Sequence, residues 1–201
     1  RAGADESPAL RQQALALPAG SNPRIRRLAA SWRADARSDG DVLRQAQAFF
    51  LRQGLIYTLN PPLLGEHSAD EFLFDTRQGF CEHFASAFAV AMRAAGVPAR
   101  VVTGYQGGEV NPVDGWLTVR QYDAHAWTEV WLAGRGWVRV DLTAISASSC
   151  IDLDLAAVAV NPTKILRRSL AFATPAPANW PYLAADGLSN TPAVAIWLRV
   201  A

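Results

Sequence analysis

Thr76-Arg77-Gln78-Gly79-Phe80-Cys81-Glu82-His83-Phe84-Ala85-Ser86-Ala87-Phe88 decides the reading of this chain. One of its two cysteines follows a glycine-containing turn and opens a run with helical apolar spacing: Phe84, Phe88, Met92 and Ala95. A thiol in the first turn of a helix faces backbone N–H groups that lack partners within the helix. It also faces the positive end of the helix dipole, and both features favour an anionic sulfur. Downstream lie Asp123-Ala124-His125-Ala126-Trp127 and Trp137-Val138-Arg139-Val140-Asp141. Cys, His and Asp in that order supply a nucleophile, a base and a group to orient the base, the parts of a cysteine acyltransferase.

The remaining composition narrows the class. Half of the 201 residues are apolar, enough for a sizeable core, and a net charge of +1 gives no sign of a nucleic-acid partner. Five arginines between Arg24 and Arg37 fit the solvated face of a helix packed through Ile25, Leu28, Ala29 and Trp32. Two cysteines are no disulfide framework; a Cys81–Cys150 bond would consume the proposed nucleophile. No apolar run approaches the roughly 18 residues needed to span a bilayer, and no signal-peptide pattern is present. The arginine at position 1 predicts a segment of a longer protein.

Residues 1–21 read as a loose lead-in, its apolar Ala14 to Leu17 stopped by Pro18 and Gly20. The core domain is expected over 22–143. Asn22-Pro23 starts a helix to about Ala36, and a second runs from about Asp41 to Gln53 with Gly54 as its stop. Leu55 to Leu59 suits a strand ended by Pro61-Pro62, and a helical turn is predicted near Ala69 to Phe74. The cysteine helix should span about 81–95, closed by Gly96 and Pro98. Strands are predicted at Ala99–Tyr105, Trp116–Arg120, His125–Leu132 and Trp137–Asp141. Helices first and antiparallel strands after them indicate an α+β fold. Residues 144–201, with Pro175, Pro177, Pro181 and Pro192, read as an irregular C-terminal extension.

The chemistry follows from the residue types. Cys81 would attack a carboxamide carbonyl, His125 would protonate the departing ammonia or amine, and Asp141 would fix the imidazole tautomer. The Cys81 N–H is the natural first oxyanion donor; Tyr57 and Gln106 are candidates for the second. Trp127 is a candidate for the cleft border, and Gly107-Gly108-Glu109 with Asp114 form a loop that could meet substrate. The hairpin imposes a condition. A turn centred on Gly134 sets Trp131 opposite Trp137 and Asp141 opposite Trp127, on the face that carries His125; a turn centred one half-step on would flip Asp141 away. His83, two residues from Cys81, points elsewhere on the helix and reads as structural. Asp152 and Asp154 lack the rest of a calcium loop, so no metal and no cofactor are predicted.

The motifs together resemble a known family. Gly79-Phe80-Cys81-Glu82-His83-Phe84-Ala85, Ala94 to Glu109 (AAGVPARVVTGYQGGE), Asp123 to Trp127 and Gly136 to Asp141 are similar to bacterial transglutaminase-like proteins, in particular the TgpA type. Tyr57-Thr58-Leu59-Asn60-Pro61-Pro62 and Asp70-Glu71-Phe72-Leu73-Phe74 fit the same pattern. The resemblance covers about residues 22–143. It implies a papain-like, transglutaminase-like core in which a central helix carries the nucleophile against an antiparallel sheet, with Cys81, His125 and Asp141 as the triad. It implies acyl transfer from a glutamine-type carboxamide on a protein, peptide or cell-envelope substrate to a lysine-like amine. It also implies a periplasmic domain of an inner-membrane protein, anchored by segments outside this chain. The same triad serves a deamidase or a cysteine protease, and a non-catalytic peptide- or wall-binding module is the reading from another class. After Asp141 the family pattern lapses: Leu142 stands where a proline is usual, and Ser148-Ser149-Cys150-Ile151 replaces the usual turn.

Overall fold

A computed structural model describes residues 7–143, 169–172 and 196–199. The chain forms two compact units, Arg1–Val101 with Trp127–Leu153, and Val102–Ala126 with Asp154–Ala201.

The first unit opens on α1 (Pro8–Gln13), α2 (Pro23–Asp35) and α3 (Asp39–Arg52). The helix α1 lies within the stretch expected to be loose. Ser7 accepts the Ala9 N–H and proline fills the first helical position, a start signal that the short apolar run after it obscured. Strand β1 (Ile56–Tyr57) follows, then α4 (Ser68–Asp70), a π-helical turn (Glu71–Thr76) and β2 (Gln78–Gly79). Two polar side chains lock the start of α2 to α4. Asn22 accepts the N–H groups of Ala69 and Asp70 at 3.1 Å each, while Asp70 accepts those of Arg24 and Ile25 at 2.7 and 2.8 Å. Each helix start therefore finds its missing partners on the other segment.

The central helix α5 (Cys81–Ala94) is buried around most of its circumference, at Cys81, Phe84, Ala85, Ala87, Phe88, Ala89, Ala91 and Met92. That pattern belongs to a helix inside a core, not to one lying on a surface. Small alanines let neighbouring elements approach, and Phe84, Phe88 and Met92 fill the space between α2, α3 and the sheet residues Val130, Leu132 and Val140. The helix stops as predicted at Gly96, whose φ is +77°. Gly96 N–H bonds to Arg93 C=O and Val97 N–H to Met92 C=O, both at 2.9 Å, the paired closure that a left-handed glycine permits.

The remaining strands are β3 (Ala99–Gln106), β4 (Glu109–Val110), β5 (Trp116–Val119), β6 (Ala124–Leu132), β7 (Gly136–Val140), β8 (Ser169–Phe172) and β9 (Ile196–Arg199). One sheet has the order β7-β6-β3-β8 and a second the order β4-β5-β9. Both therefore include strands from the stretch expected to be irregular: Ser169–Phe172 pairs antiparallel with Thr103–Gln106, and Ile196–Arg199 with Trp116–Val119. Their partners lie some 65 and 80 residues away, and such pairing leaves no local sequence signal. The α+β core expected from the sequence is present, with α5 against the antiparallel β3, β6 and β7. Thr128 on β6 donates its buried hydroxyl to Ala85 C=O on α5 at 2.8 Å, which pins helix to sheet.

Candidate active site

Cys81 is the first residue of α5, a free thiol that is 9% exposed. Its position is built from the two short strands. Ile56 pairs in parallel with Gln78 and Tyr57 with Gly79; Ile56 N–H reaches Arg77 C=O at 2.8 Å and Thr58 N–H reaches Gly79 C=O at 2.9 Å. The segment entering α5 is thus fixed two residues before the sulfur. Gly79 is required there for space. A β-carbon on it would come within 2.6 Å of His83 Cβ and 2.8 Å of the Phe72 ring. His83 closes the helix start: its Nδ1 accepts the Phe80 N–H at 3.3 Å, and its ring packs edge-on against Phe80 at 4.5 Å. Burial holds the His83 imidazole below its ordinary protonation range, as expected for a structural histidine. Burial also raises the carboxyl of Glu82, in the same first turn.

Tyr57 lies beside the thiol. About half of the residue is exposed, yet its hydroxyl is held above the ordinary tyrosine value. Burial is the largest cause, followed by the charge of the Cys81 sulfur; the Cys81 backbone N–H acts in the opposite direction, and the Asp141 carboxylate adds a smaller push upward. Tyr57 and Cys81 therefore lie close enough to interact electrostatically. Its ring packs over Phe84, 6.2 Å between centroids.

Asp141 follows β7 directly, and its side chain is only 6% exposed. Each carboxylate oxygen has a donor: Arg139 Nη2 at 2.9 Å on Oδ2, and the Thr143 hydroxyl at 2.7 Å on Oδ1. The Arg139 guanidinium lies 4.0 Å over the ring of Trp127, which is almost wholly buried. The sequence reading passed over Arg139 and Thr143. For Arg139 the signal was its spacing of two from Asp141, which along a strand puts both side chains on one side; Thr143 lies beyond the end of β7 and had none.

The first unit thus brings together Cys81, Tyr57, Asp141 and Trp127. His125 and Gln106 belong to the second unit. His125 is the second residue of β6 and half-buried; Gln106 is the exposed last residue of β3, opposite Ser169. In the loop after β3, Gly107 and Gly108 have φ of +109° and +129°, and Glu109 forms a 2.7 Å ion pair with Arg120 that lowers its carboxyl below the usual range. Cys150, Asp152 and Asp154 lie outside the described residues. Among the described residues no helix is long and apolar enough to cross a membrane.

Comparison with known proteins gives the family. The family model of the transglutaminase-like superfamily matches residues 26–142. A protein-glutamine gamma-glutamyltransferase of Pseudomonas aeruginosa is 50% identical over 137 residues, which is 68% of this chain and 20% of that protein. The uncharacterized protein YebA of Bacillus subtilis is 32% identical over 136 residues, 64% of this chain and 18% of its own length. The crystal structure of the periplasmic domain of TgpA from Pseudomonas aeruginosa superposes with a TM-score of 0.69 at 46% identity, over 72% of this chain and 50% of that one. The chain thus spans about a fifth of the curated relatives and half of the solved domain. Because the family model covers more than half of the chain, including the cysteine helix and the β6–β7 hairpin, this chain belongs to the transglutaminase-like superfamily.

Proposed function

We propose that this chain is the catalytic domain of a cysteine acyltransferase that moves the acyl group of a glutamine side chain onto an amine. The single observation that carries the reading is the free Cys81 at the first turn of a buried helix, within electrostatic reach of Tyr57, which also feels the Asp141 carboxylate. The Cys81 sulfur forms a bond to the carboxamide carbon. As the tetrahedral intermediate collapses, the C–N bond breaks and His125 donates the proton with which nitrogen leaves as ammonia. A lysine-type amine then attacks the thioester carbon, gives a proton to His125 and expels the thiolate. Asp141 holds the imidazole in the tautomer that both steps use. The period-two alternation of β6, which gives His125 the side that Trp127 occupies, supports this pairing.

Tyr57 is the second oxyanion donor in this reading. Its electrostatic interaction with Cys81 supports a position from which the two donors converge on one developing charge. Gln106 and Trp127 are assigned to the substrate-lining wall. The domain acts on protein or peptide substrates in the periplasm, carried by an inner-membrane protein whose other segments lie outside this chain; the similarity to a periplasmic domain supports that location.

The experiment is mass spectrometry of the domain with a glutamine-containing peptide and a primary amine. Transfer predicts loss of 17 Da from the donor together with addition of the amine. A donor gaining 1 Da whatever the amine concentration identifies a deamidase, and a cleaved donor a protease. An unchanged donor that still binds replaces the enzyme with a binding module.

A further inference from the structure

We propose that Arg139 and Thr143 are positioning residues that hold the Asp141 carboxylate as a fixed anion facing the histidine, with the Trp127 ring as the platform beneath Arg139. The proposal rests on the Cys81–His125–Asp141 reading given above.

Each oxygen of Asp141 receives one donor, Arg139 on one and Thr143 on the other, at 2.9 and 2.7 Å. Two such bonds at opposite ends of a carboxylate remove its rotation about the last side-chain bond. They do not exhaust a group with about four acceptor sites, so an imidazole N–H can still be received. The side chains are 13% and 6% exposed, so the pair sits largely out of water, where a bare carboxylate would take up a proton. Arg139 prevents that. Its planar guanidinium lies 4.0 Å from the Trp127 ring while its edge faces the carboxylate. Ring, cation and anion therefore form one stack, which a lysine ammonium cannot reproduce because it has neither a flat face nor a fork.

The stack has a consequence for the reaction. When His125 takes a proton, the positive charge must be met by an anion already in place. An Asp141 protonated at mildly acidic pH would no longer accept the imidazole N–H, and the base would lose its orientation. Losing the arginine would ease protonation of Asp141, so Arg139 serves the acid side of the reaction as well as its geometry.

The test uses Thr143→Val, which keeps the shape and removes one donor, with Thr143→Ser, which restores it, and Arg139→Met and Arg139→Lys. Two readouts are followed against pH: glutamine-to-amine transfer and alkylation of Cys81 by iodoacetamide. Thr143→Val should lower kcat by about 10-fold with little change in KM, the value of one hydrogen bond to a charged group, and Thr143→Ser should recover most of it. Arg139→Met should also move the acid limb of both profiles to higher pH, and Arg139→Lys should recover it only in part. Unchanged profiles in Arg139→Met and full kcat in Thr143→Val would overturn the proposal. If Arg139→Met does not fold, the Thr143 pair decides alone. If the parent transfers nothing, the acyltransferase reading fails, while the alkylation profiles still report whether Arg139 and Thr143 govern the site.

Discussion

Trp131 lies directly opposite Trp137 across the β6–β7 hairpin, their rings edge to face with centroids 5.6 Å apart. The register continues through Val130–Val138, Glu129–Arg139 and Thr128–Val140, and one further step sets Asp141 opposite Trp127. The connection is the three residues Ala133, Gly134 and Arg135, with Gly134 at φ +75°. This register decides which face of the sheet receives Asp141, since a one-residue slip would turn every side chain of β7 over.

The hairpin is therefore predicted to tolerate an insertion in its loop and not a deletion within β7. One extra glycine after Gly134 lengthens the connection while the buried Val130, Val140 and Trp131 contacts keep the register, so transfer activity should stay within a few-fold of the parent. Removing Val138 from within β7 moves Asp141 one place along the strand and so to the other face, or breaks the pairing. Activity should then fall by more than about 100-fold, far beyond what a melting curve of the same variant would account for. An active deletion variant would show that the side of the sheet on which Asp141 lies is immaterial.

The mutual capping of Asn22 and Asp70 should be visible in stability. Asp70→Ala leaves the N–H groups of Arg24 and Ile25 without their acceptor at a buried helix start, at a cost of about 2–4 kcal/mol. Asn22→Ala similarly strands two N–H groups of α4. Because both caps join the same two segments, the double variant should lose less than the sum of the singles in a denaturant titration. Strict additivity would mean that the caps act independently.

His83 should make the domain sensitive to mild acid. Its folded protonation point is depressed by burial, so the unfolded chain binds a proton first as pH falls. Stability from this group is complete above about 6.5, the unfolded value, and declines below it until the folded ring itself titrates. Glu82 acts the other way, because burial raises its carboxyl and the folded state binds that proton first, above about 4.5. His83→Asn keeps an acceptor for the Phe80 N–H and cannot be protonated. Its melting temperature should fall less steeply than the parent's as pH drops below 6.5. Parallel curves for the two proteins would remove His83 from the pH response.

Local signals made most of the first unit legible. Asn22-Pro23, Gly54 and Gly96 mark helix ends by conformational rules that operate within a few residues, and the structure places the ends there. The sequence narrowed the hairpin register to a turn centred on Gly134 or one half a step on, and the structure has the first. What stayed hidden depends on distant partners: the reciprocal caps of Asn22 and Asp70, separated by 48 residues, and the pairing of β8 and β9 with strands far back in the chain. Tyr57 could be named from sequence, but its nearness to Cys81 could not, because it comes from the β1–β2 bridge that pairs Tyr57 with Gly79. Arg139 was given no role, since strand alternation does not reveal that a guanidinium folds back onto the aspartate two residues on.

Two substitutions separate chemistry from scaffold. Cys81→Ala deletes one sulfur from a nearly buried position at the start of α5, a small loss of packing that should leave the melting temperature within a few degrees of the parent. It also removes the only nucleophile in the proposal, so transfer, deamidation and cleavage should all vanish together. Asp141→Asn is different. It keeps the shape but withdraws the anion that Arg139 and the imidazole both use. The rate should drop by about 10³–10⁴-fold, as in serine triads carrying the same exchange. Stability should fall as well, by roughly 1–3 kcal/mol, because the buried guanidinium loses its counter-ion. Assays run well below the melting temperature of each variant keep the two effects apart. A Cys81→Ala protein that still processes a glutamine donor would end the thioester mechanism. An Asp141→Asn protein that loses stability while keeping its rate would reduce Asp141 to a partner of Arg139 in the fold.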